Sequence, residues 1–426
     1  MIRYAIPLCL LLAPQMGSSY PMDGYAETGI RRLEGSRLMQ TGEIAGSRQP
    51  AGAMLPTAMV NLRLVDQPDF KVPPPDPAFS RQIEALLGKD VDRYGITVLD
   101  VSDPDRPRYA EVNGDYRQNV GSVGKLVAAL GLFQALADAW PDESDRLHVL
   151  RERVVTADEF SHWDHHTVMF FDPQSLEVSR RTIGDGDRAT LWEYLDWMLS
   201  PSSNSAAGMV MREALLIRQF GASYPPSEIV AKRFFDETSK QELTKLFSRT
   251  FEAPLIRNGI DFSEFRQGSF FTARGKVIVP GTGSSYATAD SLMRFAVLME
   301  KGQLVDRFTS LQLKRLLYLT ERRIRYASSP ELRNAVVYFK SGSLYSCIKE
   351  EGFSCGKYKG NAKNYMNSFA IIESPVLEPR LHYMVMLVSN VLRKNSAVDH
   401  QALGSGIHQV IKAANEPRIQ TEPAEN

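Results

Sequence analysis

Hydrophobic positions change period several times along the chain, and those changes set out its elements. Ala78 to Leu87 has the spacing of an amphipathic helix and stops at Gly88. Tyr94 to Val101 alternates as a strand, Ser102 to Pro107 forms a turn, and Arg108 to Val112 returns as a second strand. From Leu126 to Trp140 apolar residues occupy every side, which predicts a buried helix that Pro141 stops. Thr190 to Leu199 and the run from Asn204 to about Ile217 predict two further helices, with Thr190 as a cap for the first. Residues 221–285 are weakly patterned, with short helical stretches at Ser227 to Phe235 and Lys240 to Phe251.

Amphipathic helices follow after Thr288 and over Phe308 to Leu319. Strands then return at Ala335 to Phe339, Leu344 to Cys347, Asn367 to Ser374 and Leu381 to Val388. The last of these is apolar throughout and reads as a central strand. Ala397 to Ala413 predicts a closing helix, and residues 416–426 a polar tail. The fold class expected is α/β in the α+β sense. An antiparallel sheet carries the terminal helices on one face, an all-helical lobe is inserted between its second and third strands, and a cleft lies between the lobes.

The first 77 residues fall outside this pattern. Arg3, the apolar run Ala5 to Pro14 and the small residues Gly17 to Ser19 predict an export signal over residues 1–19. Residues 20–77 read as an extended arm closed by the stiff Pro73–Pro77 spacer, with one short strand at Val60, Leu62 and Leu64. No segment after the signal reads as a membrane span. Cys347 and Cys355, close in sequence in an exported chain, predict a disulfide. Lys+Arg and Asp+Glu are equal at 50 each, which gives no footprint for nucleic acid or for an anionic membrane. A monomer is expected.

Candidate chemistry gathers at three places. Ser122 and Lys125, three residues apart, share one helix face at the start of the buried helix. A serine needs a nearby base to act as a nucleophile, and a desolvated lysine can serve. Gly124 between them leaves clearance for a neighbouring chain or a substrate. Ser202, Ser203 and Asn204 join two helices in a tight turn. Locally, Ser202 or Asn204 reads as a helix cap. Lys340, Ser341, Gly342 and Ser343 continue a strand. His162, Asp164, His165 and His166 are ligand types for a metal, but their spacing matches no metal motif, and a polar loop or substrate rim is the preferred reading.

Taken in order, Ser122-Val123-Gly124-Lys125, Ser202-Ser203-Asn204 and Lys340-Ser341-Gly342 resemble the motifs of the active-site serine penicillin-recognising enzymes, most closely class A β-lactamases. The resemblance runs over about residues 78–413. It implies Ser122 as the acylated nucleophile and Lys125 as its base. Ser202 would relay a proton to the leaving nitrogen, and Asn204 would hold Lys125 and the substrate amide. Lys340 would tune the field near Ser202. Ser341, Gly342 and Ser343 would bind substrate, with Ser341 on its carboxylate and the N–H groups of Ser122 and Ser343 forming an oxyanion hole. The implied substrate is a β-lactam or a peptidoglycan peptide, handled in the periplasm without metal or organic cofactor.

Two departures stand out. No Glu-x-x-Leu-Asn segment lies between Ala207 and Lys340, where Glu237, Glu242, Glu252 and Glu264 stand in other contexts. The strand after Lys340 offers Asn367, with Lys363 nearby, where such enzymes commonly carry an arginine.

Overall fold

The computed structural model describes residues 23–421 except 322, with side chains through 416. The expected signal segment lies outside the described residues. Five strands form one antiparallel sheet in the order β2-β1-β9-β8-β7, namely β1 (Tyr94–Asp100), β2 (Arg108–Val112), β7 (Val336–Ser346), β8 (Lys363–Ser374) and β9 (Leu381–Asn390). Strand β9 sits in the middle, and its side chains alternate between two cores. Tyr383, Val385 and Leu387 face one side, where they meet α3 (Pro77–Leu87) and α14 (Ser396–Thr421). Met384, Met386 and Val388 face the larger core.

That larger core is built on α4 (Lys125–Ala139), buried at every position from Lys125 to Gln134. With the turn before it, α4 is long and apolar enough to cross a membrane by composition, contrary to the sequence expectation, yet it is enclosed by protein. Around it pack α6 (Leu191–Leu199) and α7 (Asn204–Phe220), while α12 (Ala289–Glu300) lies on β9 and β1. Thr190 and Thr288 cap α6 and α12 as the sequence indicated. The inserted lobe is mainly helical rather than all-helical. It carries two short ribbons, β3 (Val154–Thr156) with β6 (Arg188–Thr190) and β4 (Val168–Phe171) with β5 (Val178–Arg181). The remaining helices are α5 (Glu143–Glu152), α8 (Glu228–Glu237), α9 (Lys240–Phe247), α10 (Ala253–Arg257), α11 (Ala273–Ile278) and α13 (Arg307–Tyr318).

The segment before residue 77 differs from the extended arm expected. It forms α1 (Gly24–Thr28) and α2 (Arg31–Thr41) and lies against the main body. Ile30, Leu33, Val60 and Leu64 are buried in the larger core. Arg32 Nε donates to Asp196 on α6 at 2.5 Å, with both side chains buried. Val60, Leu62 and Leu64 form no strand. The chain there is fixed by Glu300 instead, which accepts from the Arg63 and Leu64 amides at 2.7 and 3.1 Å. Alternation alone did not separate a strand from an irregular segment pinned by a buried carboxylate. Cys347 and Cys355 form a disulfide with Cα atoms 6.1 Å apart, closing the hairpin between β7 and β8.

Candidate active site

Ser122 lies in a single 3₁₀ turn, Gly121–Gly124, that leads into α4. The turn is held from the sheet. Asn367 of β8 accepts from the Gln118 amide at 2.7 Å and donates to the Asn119 carbonyl at 3.0 Å. Gly342 on the edge strand β7 lies directly against it. A Cβ at Gly342 would stand 2.6 Å from both the Ser122 nitrogen and the Val120 oxygen, so only glycine lets β7 come this close. Gly121 adopts a left-handed φ of 53° and faces the Ser343 nitrogen. Strand β7 thus brings the Ser343 nitrogen up to the turn that carries Ser122. Gly124 makes room for a neighbouring chain, the Gln267 side chain.

Lys125 is fully buried and its ammonium collects acceptors from three elements. Its Nζ lies 3.1 Å from Ser122 Oγ, 2.7 Å from the Ser202 carbonyl, 3.3 Å from Ser202 Oγ and 2.7 Å from Asn204 Oδ1. The ring of Phe271 covers it at 4.7 Å. Lys340 approaches from β7 and donates to Ser202 Oγ at 2.8 Å. The Ser202 hydroxyl thus bridges two buried lysines. Burial pulls Lys125 down to about 7, against the opposing pull of Asp164. Burial, then Lys125, then Arg325 push Lys340 well below the usual lysine range.

The turn before α7 explains how Ser202 and Asn204 come to face a lysine. Ser203, rather than either neighbour, caps α7 by accepting from the Ala206 amide. Ser202 takes a left-handed φ of 68°, so its carbonyl and hydroxyl both face Lys125. Beneath the turn, buried Asp164 accepts from the Asn204 amide at 2.6 Å.

The sequence indicated no arginine in the strand after Lys340, and the structure supplies one from elsewhere. Arg325, in the turn before β7 with a left-handed φ of 55°, donates to Ser341 Oγ at 2.8 Å and Ser343 Oγ at 3.0 Å. Nothing in its local sequence marks it. Asn367 is fully buried and serves the Ser122 turn, and Lys363 is exposed farther along β8. Glutamates of the long segment find partners elsewhere, Glu228 with Arg212. Glu242 caps α9, Glu252 accepts from Ser248 and Thr282, Glu237 pairs with Arg233, and Glu264 lies among Asp261, Asp290 and Arg294. Phe271, from that same segment, is what meets Lys125.

Of the histidine cluster, Asp164, His165 and His166 converge, while His162 turns to Asp185 at 2.7 Å. The Asp164 oxygens are occupied by backbone amides, Ser203 and the His166 ring.

The family model described as "Beta-lactamase enzyme family" matches residues 78–354, more than half of the chain. No curated protein sequence matches. Among solved structures, the TLA-3 extended-spectrum β-lactamase is 13% identical, with 79% of this chain and 98% of that one covered and a TM-score of 0.50. A β-lactamase from Sphaerobacter thermophilus DSM 20745 is 13% identical over 79% of this chain and 96% of that one, with a TM-score of 0.48. PBP-A is 12% identical over 81% of this chain and 100% of its own, also at 0.48. At such identity the TLA-3 likeness speaks to the fold.

Proposed function

Because the chain belongs to the β-lactamase enzyme family, we propose that it is an active-site serine hydrolase acylated at Ser122 by β-lactams or related carboxylate-bearing amides. The observation that carries the reading is the Lys125 amine, buried, low in basicity and in hydrogen-bond contact with Ser122, Ser202 and Asn204.

The chemistry follows from those contacts. Lys125 as free amine takes the Ser122 proton while Oγ attacks the amide carbonyl. The tetrahedral oxyanion meets the amides of Ser122 and Ser343. Ser202 Oγ, bridging Lys125 and Lys340, passes a proton to the leaving nitrogen. The C–N bond breaks and an ester to Ser122 remains. The substrate carboxylate meets Ser341, Ser343 and the Arg325 guanidinium, a planar donor suited to a carboxylate. Release then needs water and a base of its own.

A second reading differs only in that last step. Among the described residues, no glutamate of the 221–285 segment stands at Ser122, and Phe271 fills the face of Lys125. That arrangement favours slow release, as in a D,D-peptidase-like cell-wall enzyme or a sensor that acylates once. The disulfide supports an oxidising compartment such as the periplasm. Intact-mass measurement over time after adding a penicillin tests both readings. A Ser122-dependent adduct is expected, and a chain that neither gains the penicillin mass nor consumes the penicillin overturns the acyl-serine assignment.

A further inference from the structure

We propose that Asp164 is a positioning residue for acyl transfer at Ser122: its carboxylate fixes the turn before α7 and, through Asn204, the Lys125 amine. The proposal rests on the acyl-serine reading of the site.

One carboxylate oxygen accepts from Ser203 Oγ at 2.9 Å, the Asn204 amide at 2.6 Å and the Ser205 amide at 3.1 Å. The other accepts from the amides of His165 and His166 at 2.8 and 3.1 Å, and the His166 ring nitrogen lies 2.6 Å away. The side chain is wholly shielded from solvent. A helix start requires far less. Ser203 already caps α7, so a buried carboxylate gripping the same turn exceeds what capping needs. What the turn does need is restraint. Ser202 holds a left-handed backbone that a serine adopts at a cost, and such conformations persist only where neighbours over-determine them. Asp164 supplies that restraint one and two residues from Ser202, on the Ser203 hydroxyl and on the backbone amide of Asn204, whose side-chain oxygen holds Lys125.

The second contribution is charge. Around Lys125, β7 presents Lys340, the turn before it presents Arg325, α7 presents the neutral Asn204, and the 265–272 segment presents Phe271. The 162–166 loop presents Asp164 with His165 and His166. Among the described residues, Asp164 is the anion acting on Lys125. It keeps the lysine from losing its basicity altogether.

The test compares wild type with Asp164→Asn by two measurements. One is single-turnover acylation by a chromogenic cephalosporin from about pH 5 to 9, and the other is the Lys125 titration read by NMR with ¹³C-labelled lysine. Loss of the anion disfavours the ammonium. The Lys125 midpoint, and with it the acid limb of the acylation profile, should therefore move down by about one pH unit. Acylation should slow by about 10²-fold, the cost of a displaced catalytic group. A variant that slows without moving the midpoint reduces Asp164 to a helix cap and overturns the proposal, as does one that acylates at the wild-type rate. Should Asp164→Asn fail to fold, Ser203→Ala decides. It keeps the charge and loosens the grip, so acylation should fall about tenfold with the Lys125 midpoint and the helix content by circular dichroism unmoved, and an unchanged rate, or a loss of helix alongside the loss of rate, overturns the proposal. If wild type itself takes no acyl group, the acyl-serine reading has failed, and the NMR midpoint still decides whether Asp164 acts on Lys125.

Discussion

Lys125 and Asn204 are 79 residues apart in the chain and 2.7 Å apart in space, the lysine Nζ donating to the asparagine Oδ1. The contact joins α4, the buried helix of the larger core, to the turn before α7.

The acid limb of acylation should report that nitrogen. With Lys125 drawn down to about 7, its free amine dominates above neutrality and is lost as pH falls. Acylation should fall about tenfold per pH unit below about pH 7. Stopped-flow measurement of the first turnover across pH checks this. A flat profile down to about pH 5 would show that another group takes the Ser122 proton.

Lys125→Ala should leave the fold in place and slow acylation by about 10²–10⁴-fold, the usual contribution of a positioned base. Circular dichroism and intact-mass kinetics on the same sample separate the two effects. The buried volume left beside Phe271 will cost some stability, so the melting curve belongs in the comparison.

Removal of the Arg325 guanidinium should act on binding. Arg325→Ala takes a charged partner from Ser341 and Ser343, an interaction typically worth about 1.5–3 kcal/mol. The second-order acylation constant for a carboxylate-bearing penicillin should fall about ten- to a hundredfold, mostly through weaker binding. An equal loss with an ester derivative lacking the carboxylate would assign Arg325 a structural role instead.

Release of the acyl group should be slow. Glu228, Glu237, Glu242 and Glu252 of the 221–285 segment are engaged elsewhere, and general bases usually contribute about 10²–10⁴-fold to such a step. Mass spectra taken minutes after mixing with a penicillin should still show the adduct. Many turnovers per second with no adduct visible would point to a base outside that segment.

The arm contributes to stability in a measurable way. Arg32→Ala would leave Asp196 buried without its guanidinium, and breaking such a pair typically costs about 3–5 kcal/mol. Urea denaturation should show that loss as a lower midpoint. A midpoint equal to wild type would mean that α2 is not coupled to the main body.

The sheet, the buried helix and the three motifs were legible because each depends on local signals. Those signals are a continuous apolar run in β9, apolar residues all round α4, and short runs of serine, lysine and asparagine at turns. Arg325 was not legible, because its role comes from a left-handed backbone that aims a lone loop arginine at β7. Asp164 was noticed only within a cluster weighed as metal ligands and preferred as a polar loop or substrate rim. Its partners Ser203 and Asn204 lie some 40 residues away, and no sequence period links them. Phe271 gave no signal either, since an aromatic in a weakly patterned stretch looks like ordinary core. The docking of the arm was hidden because its anchors are single arginines paired across the chain, Arg31 with Glu193 and Arg32 with Asp196.

Those anchors also govern when the protein can finish folding. Arg32 waits for a carboxylate 164 residues downstream, and Arg63 waits for Glu373, 310 residues away. A chain that emerges from its first residue onward therefore holds its earliest helices idle until most of the rest has appeared. Long-range closures of this kind slow folding, because loop entropy is spent before the contact repays it. Nascent chains cut short before β8 should leave residues 31–63 open to protease, while the same residues in the finished protein resist it.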